Sequence, residues 1–302
     1  MHNLTKGVPS GKTAGEKPLV SVIKTAGEKP LVSVIMPVYS MADDPVLHTA
    51  VQSVMHQTYE NWELILCDDG SADNTMQVLQ QFASMDARVR VICNPKNRGA
   101  GAARNACIRA AKGKYLAVMD ADDISDAARL EKQAAFLERH PEYAFVGSNV
   151  WMRDRKGIWG WRRMEQEPGR KSFLRTLPFV HPSVMMRTHI VRKLHGYSTK
   201  HMARRAEDYE LLMRLYAGGY RGFNIQEELL GYLEEPGSYR KRKYRDRLAE
   251  CAVRFQGFRR LGILKGNLRY VLKPLAVGLV PGWVQRIYRK QRFAVKQHRK
   301  SF

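Results

Sequence analysis

Three acidic clusters and two arginines in this chain have the types and spacing to do chemistry. Asp120, Asp122 and Asp123 close the stretch KYLAVMDADD at residues 114–123. Asp68 and Asp69 open the turn DDGSAD, and Glu207 and Asp208 stand side by side in RRAEDYELLMRL. Arg98 and Arg104 flank a Gly-x-Gly run. The apolar run before Asp120 predicts a buried strand over residues 115–119. Carboxylates at the end of a buried strand lose hydration unless something positive meets them. Side chains alternate along an extended chain, so Asp120 and Asp122 are expected on one side. Two hard oxygen ligands there suit Mg²⁺ or Mn²⁺, which keeps coordination positions for substrate phosphates. A lone DxD is more often an acidic loop or a helix cap, so the surrounding chain has to decide.

The elements that must position these residues alternate. Strands are expected at 31–38, 62–67, 89–93 and 115–119. Helices are expected after Asp43-Asp44-Pro45, over 74–85, over 100–111, and from Ser125 or Asp126 to Arg139. Such alternation implies a parallel sheet with helices on both faces. Ligands then bind at the carboxyl ends of the strands. Tyr39, Asp68, Asp69, Arg98, Gly99, Asp120 and Asp122 all fall there, as neighbours in space. After Tyr143 the pattern loosens. Strands are expected over 145–152 and 158–163, and another begins at His181 and runs to residue 186. Residues 204–215 read as a loop feeding a helix with Glu207 or Asp208 at its start, where the helix dipole favours an acid. Simple capping would explain that pair equally well.

The chain has 302 residues, 44% of them apolar, enough for one large domain or a domain with an appendage. Cys67, Cys93, Cys107 and Cys251 have no paired or metal-ligand spacing, which reads as reduced thiols in a cytoplasmic protein. The first residues lack an apolar run, so no signal peptide is expected. Residues 12–23 and 24–35 repeat the same KTAGEKPLVSVI. A single duplication is not a solenoid, and residues 1–30 are expected to form a flexible arm without function.

Formal net charge is +22, and most of it is at one end. From Pro236 onward there are 19 Lys/Arg against Asp246 and Glu250, a local balance of 19 − 2 = +17. Residues 236–302 are expected to form a basic helical extension with an anionic partner, a membrane surface or nucleic acid. Residues 271–284 are apolar but broken by Lys273, Pro274 and Pro281, too short to cross a bilayer. With Trp283, Tyr288 and flanking arginines they read as an interfacial segment; a helix packed on the catalytic domain is the alternative.

Gly99-Ala-Gly101-Ala-Ala-Arg104 imitates a dinucleotide fingerprint, but Arg104 stands where the third glycine must allow close helix–strand packing. That argues against a dehydrogenase. A helix N-terminus beside Arg98 and Arg104 still suits an anion such as a diphosphate.

Taken in order, VSVIMPVYS, HQTYENWELILCDDGSADNT, NRGAGAARNACIRAAKGKYLAVMDADD and AEDYELLMRL resemble the family 2 glycosyltransferases of GT-A fold, over about residues 31–233. The resemblance implies an α/β catalytic domain over 31–235 with a mostly parallel central sheet flanked by helices. It implies inverting transfer of a sugar from a nucleotide-sugar to an acceptor hydroxyl, with a divalent metal, Mn²⁺ or Mg²⁺. Carried onto this chain, Pro37 and Tyr39 would edge the base pocket. Asp68 or Asp69 would bond the base and ribose, and Arg98 and Arg104 would lie near the diphosphate. Asp122 would bind the metal, and Asp120 the ribose or a metal-bound water. Asp208, beside Glu207, would be the general base, and His181 would border the acceptor. Residues 239–243 offer several basic candidates for the diphosphate. A polysaccharide-type enzyme would work at the cytoplasmic face of the membrane on a glycan or lipid-linked acceptor, which fits the basic, Trp-bearing tail. A nucleotidyltransferase would need a Gly-rich loop after the first strand, and MPVYSMADD has none. A nucleic-acid-binding protein would explain the charge but not the acids, and no nucleic acid is expected as partner.

Overall fold

The structure, a computed structural model, describes residues 2, 29–200, 203, 205–235 and 243–293. The first copy of the duplicated segment and residues 24–28 of the second lie outside them. Four strands follow the expected alternation: β1 (Val32–Val38), β2 (Trp62–Asp68), β3 (Val89–Cys93) and β4 (Tyr115–Val118). The helices between and after them are α1 (Pro45–Met55), α2 (Thr75–Met85), α3 (Ala100–Ala110) and α4 (Arg129–Arg139). These four strands are parallel in the order β3-β2-β1-β4.

Side-chain alternation sorts the core onto two faces. Val32, Val34 and Met36 of β1 pack with α1, α2 and α4, whereas Ile35 packs with α3. Each face is apolar, so the strands read as nearly continuous hydrophobic runs.

The second half is mixed. Its strands are β5 (Ile124–Ser125), β6 (Phe145–Asp154), β7 (Gly157–Arg162), β8 (Met185–Arg187) and β9 (Gly222–Leu233). β8 joins β4 antiparallel, and the path continues β8-β6-β9-β5. β7 pairs with β6 as a hairpin. The strand expected from His181 is instead a 3₁₀ turn, His181–Ser183, with β8 starting only at Met185. Pro182 has no N–H for a ladder, and Ser183 N–H turns back to Val180 O at 2.9 Å. Helix α5 (Thr188–Lys193) then leads to α6 (Glu207–Ala217).

The basic extension divides in two. Helix α7 (Tyr244–Leu261) buries Val253, Phe258 and Leu261 in the apolar cluster that holds α6. Helices α8 (Leu268–Leu279) and α9 (Gly282–Phe293) bury far less. Val271 and Pro274 are the buried residues of α8, and α9 has none. Leu272, Leu279, Trp283, Ile287 and Tyr288 stay exposed, Leu279 by 80% and Trp283 by 68%. Among the described residues no helix is long and apolar enough to cross a membrane.

Candidate active site

The carboxyl ends of the parallel strands carry two acidic turns. The first follows β2. Asp68 accepts from Ser71 N–H at 3.1 Å and from its hydroxyl at 2.5 Å. Asp69 accepts from the Arg98 and Gly99 N–H groups and from Asn94 Nδ2, at 2.7–3.2 Å. Two backbone N–H groups just before α3 are therefore already taken by an anion of the chain itself, Asp69. β2 and β3 are adjacent, which brings Asp69 to the loop that leads into α3. Gly70 permits this turn: its φ is +71°, and a Cβ would stand 2.6 Å from the Lys96 backbone.

The second turn follows β4. The strand ends at Val118, so the alternation argument stops two residues short of Asp120. Residues 120–123 form a turn instead, closed by Asp123 N–H to Asp120 O at 3.2 Å. Asp120 Oδ1 accepts from Arg104 Nη2 at 2.6 Å, and Arg104 Nη1 reaches Glu207 at 3.5 Å. Arg104 is buried. Burial opposes its charge, yet Asp120, then Tyr197 and Glu207, hold its pKa above the ordinary arginine value. It thus ties the DxD turn to the start of α6 and is not a free cation for a diphosphate.

Asp123 is buried; its Oδ1 accepts from Leu233 N–H at 2.8 Å and its Oδ2 has no hydrogen-bond partner. Burial, then the charges of Asp122 and Asp120, push its carboxyl well above the usual carboxylate range. Beneath the turn, the fully buried Arg129 of α4 donates to Val118 O at 2.8 Å. Sequence reasoning missed Arg129, since an arginine opening a helix reads as surface.

Across from the turn is an open cleft of about 330 Å³. Arg104, Asp120, His181, Glu207 and Asp208 line it, together with Arg162, Phe179, Arg205 and Tyr232. Five of the expected site residues therefore converge. The 3₁₀ turn brings in His181, whose Nε2 lies 2.9 Å from Tyr197 Oη. Burial, then Arg104, lowers its pKa to about 3, so the imidazole is neutral at pH 7. Pro37, Tyr39, Asp68, Asp69, Arg98 and Asp122 do not line this cleft. Tyr39 is 49% exposed beyond the end of β1, and Arg98 is exposed on the loop before α3. Of the basic candidates at 239–243, residues 239–242 lie outside the described residues. Arg162, Tyr197 and Tyr232 were not anticipated. Arg162 precedes Arg163 in a hairpin, a pattern that looks like solvated surface.

The acidic turn fits a divalent cation. Asp120 and Asp122 supply hard oxygen, and mutually repelling carboxylates beside an unpartnered Asp123 Oδ2 are relieved by positive charge. Among the described residues no three His, Cys, Asp or Glu form a complete cage. One or two carboxylates, completed by substrate phosphates and water, is how Mg²⁺ is usually held.

Comparison with known proteins matches residues 33–194 to the family described as Glycosyl transferase family 2, and residues 115–290 to Glycosyl transferase family group 2. The putative glycosyltransferase EpsE of Bacillus subtilis is 36% identical over 259 residues, 85% of this chain and 92% of that protein. WfaP of Escherichia coli, a UDP-Glc:alpha-D-GlcNAc-diphosphoundecaprenol beta-1,3-glucosyltransferase, is 28% identical over 72% of this chain and 83% of its own. Among solved structures, S. aureus TarS 1-349 in complex with UDP-GlcNAc superposes with a TM-score of 0.65. It covers 86% of this chain and 80% of TarS at 18% identity, a likeness of fold.

Proposed function

The chain belongs to glycosyl transferase family 2, and from that premise we propose that it moves a sugar, with inversion, from a nucleotide-sugar to the hydroxyl of a lipid-linked glycan in cell-surface polysaccharide synthesis. The observation that carries this reading is the convergence on one cleft of Asp120, from the turn after β4, and Asp208, from the start of α6. Inversion needs a base on the face opposite the leaving group. Asp208, at the start of α6, is the group to take the acceptor proton. Glu207 holds Arg104, and Arg104 holds Asp120, so the base and the donor turn are fixed relative to each other. Asp120 and Asp122 would hold Mn²⁺ or Mg²⁺, whose charge would stabilise the departing diphosphate. His181, neutral and hydrogen-bonded to Tyr197, would border the acceptor as a fixed wall and not as an acid. Asp68 has a second carboxylate oxygen for base or ribose, while Asp69 is taken up by backbone N–H groups. Pro37 and Tyr39 would edge that pocket.

A lipid-linked acceptor requires the cleft to meet a membrane. Between Leu268 and Phe293 there are six Lys/Arg and no acid, and the exposed Trp283, Ile287 and Tyr288 accompany them. This combination suits peripheral docking on an anionic cytoplasmic leaflet.

The test is a thermal-shift panel of UDP-, GDP-, dTDP- and CMP-sugars with and without Mn²⁺. A ligand of the folded state raises the melting temperature. One nucleotide giving a metal-dependent rise, retained in Asp208→Asn while turnover is lost, is expected. A collapse of the shift in Asp208→Asn would remove the base assignment, and no shift with any nucleotide would remove the donor site. Trp283→Glu should reduce cosedimentation with anionic vesicles; unchanged sedimentation would remove the membrane docking.

A further inference from the structure

Arg162 is a charged cleft-lining group that the reaction outlined above does not use; Arg205, the other such arginine, is already paired with Asp246. Arg162 closes β7 and lines the cleft with Asp120 and Asp208. Its guanidinium has no hydrogen bond or ion pair to a described residue. An arginine partly out of water with no partner among the described residues is expensive unless a ligand supplies one.

Its surroundings make the expected ligand anionic. Gly160, two residues earlier on β7, shares its face. The Phe293 backbone at the end of α9 occupies the space that a Cβ on Gly160 would need. That close approach sets α9 against the face carrying Arg162. Arg289 and Arg292 of α9 add their charge, and with burial first they pull the Arg162 pKa to about 10. Tyr232 and Glu234 push the other way, but Glu234 is already paired with Arg289 at 2.9 Å. The balance is positive charge at the edge of a cleft whose floor is acidic.

The same helix exposes Trp283, Ile287 and Tyr288. Cations that continue into exposed apolar surface match an amphipathic anion better than a soluble nucleotide. We propose that Arg162 and Arg292 form a second anion site, separate from the donor turn, which takes the diphosphate of a polyprenyl-linked acceptor. This rests on the reading of the cleft as a glycosyltransferase site. Physically, an anionic acceptor approaching Asp120, Glu207 and Asp208 is repelled. Arginines at the rim offset that repulsion and set the acceptor sugar at a fixed distance from Asp208.

The test is calorimetric titration of farnesyl diphosphate into the full-length protein, alone and saturated with whichever of UDP, GDP or dTDP binds in the presence of Mn²⁺. Farnesyl diphosphate should bind alongside the nucleotide. Arg162→Ala should weaken it roughly tenfold or more, the scale of charge-assisted hydrogen bonds, and leave nucleotide affinity within about twofold. Arg292→Ala should weaken it several-fold, and it serves if Arg162→Ala does not fold. Displacement of farnesyl diphosphate by the nucleotide would overturn the proposal, as would equal loss of both ligands in Arg162→Ala. Farnesol binding as tightly would overturn the anion site, and inorganic pyrophosphate binding as tightly would overturn the lipid source. If no nucleotide binds the wild type, the donor reading fails, while the titration into the protein alone still judges the arginines.

Discussion

The two acidic turns, DDGS after β2 and DADD after β4, look alike in sequence and are opposite in chemistry. Asp69 has its acceptor capacity filled by three donor groups of its own chain. In the other turn Asp120 depends on an arginine that it shares with Glu207, and Asp123 keeps a buried oxygen without a partner. The charge of Asp69 is committed to folding. The second turn is left with charge to spend on a ligand. Acid count alone does not separate them; the supply of nearby N–H groups does.

The comparison breaks if substitutions in the two turns have the same effect. Asp122→Asn should cost about 4 kcal/mol of transition-state stabilisation, roughly a thousandfold in rate, because a metal's share of that charge stabilisation is several kcal/mol. Its urea midpoint should stay close to the wild-type value. Asp69→Asn should do the reverse first, lowering stability by about 3 kcal/mol as charge-assisted hydrogen bonds are lost, seen as a fall in urea midpoint at constant slope. Two variants with matching stability losses would erase the distinction.

A smaller effect sharpens it on the cleft side. His181 titrates near 6.5 when unfolded and about 3 when folded. Between those values the unfolded chain binds the extra proton, so stability falls as pH drops below 6.5. From pH 6.5 to 5 the loss should be about 2 kcal/mol. His181→Gln should flatten that part of the urea-midpoint profile; an unchanged slope would mean that His181 is not the group responsible.

Much of this was legible in the chain, and the misses have physical causes. β1 to β4 read clearly because strands covered on both faces are apolar throughout. β9 was not read at all: Gln226, Glu227 and Glu228 interrupt it, and its pairing with β6 shifts register there. The cleft acids were placed by resemblance and by the ends of strands. The pairing of Arg104 with Asp120 and Glu207 was not read, nor were the burial of Arg129 and the place of Arg162 in the cleft, because all three arise only through tertiary packing. An arginine's burial is not written in its neighbours.

Leu233 N–H to Asp123 joins residues 110 apart, and beside it Ile124 and Ser125 pair with Gly231 and Leu230. The acidic turn is therefore held from both ends, by β4 before it and by β9 after it. Its backbone entropy is already lost on folding. Binding there should need little ordering, so contacts formed with an arriving ligand would appear in the affinity almost undiminished.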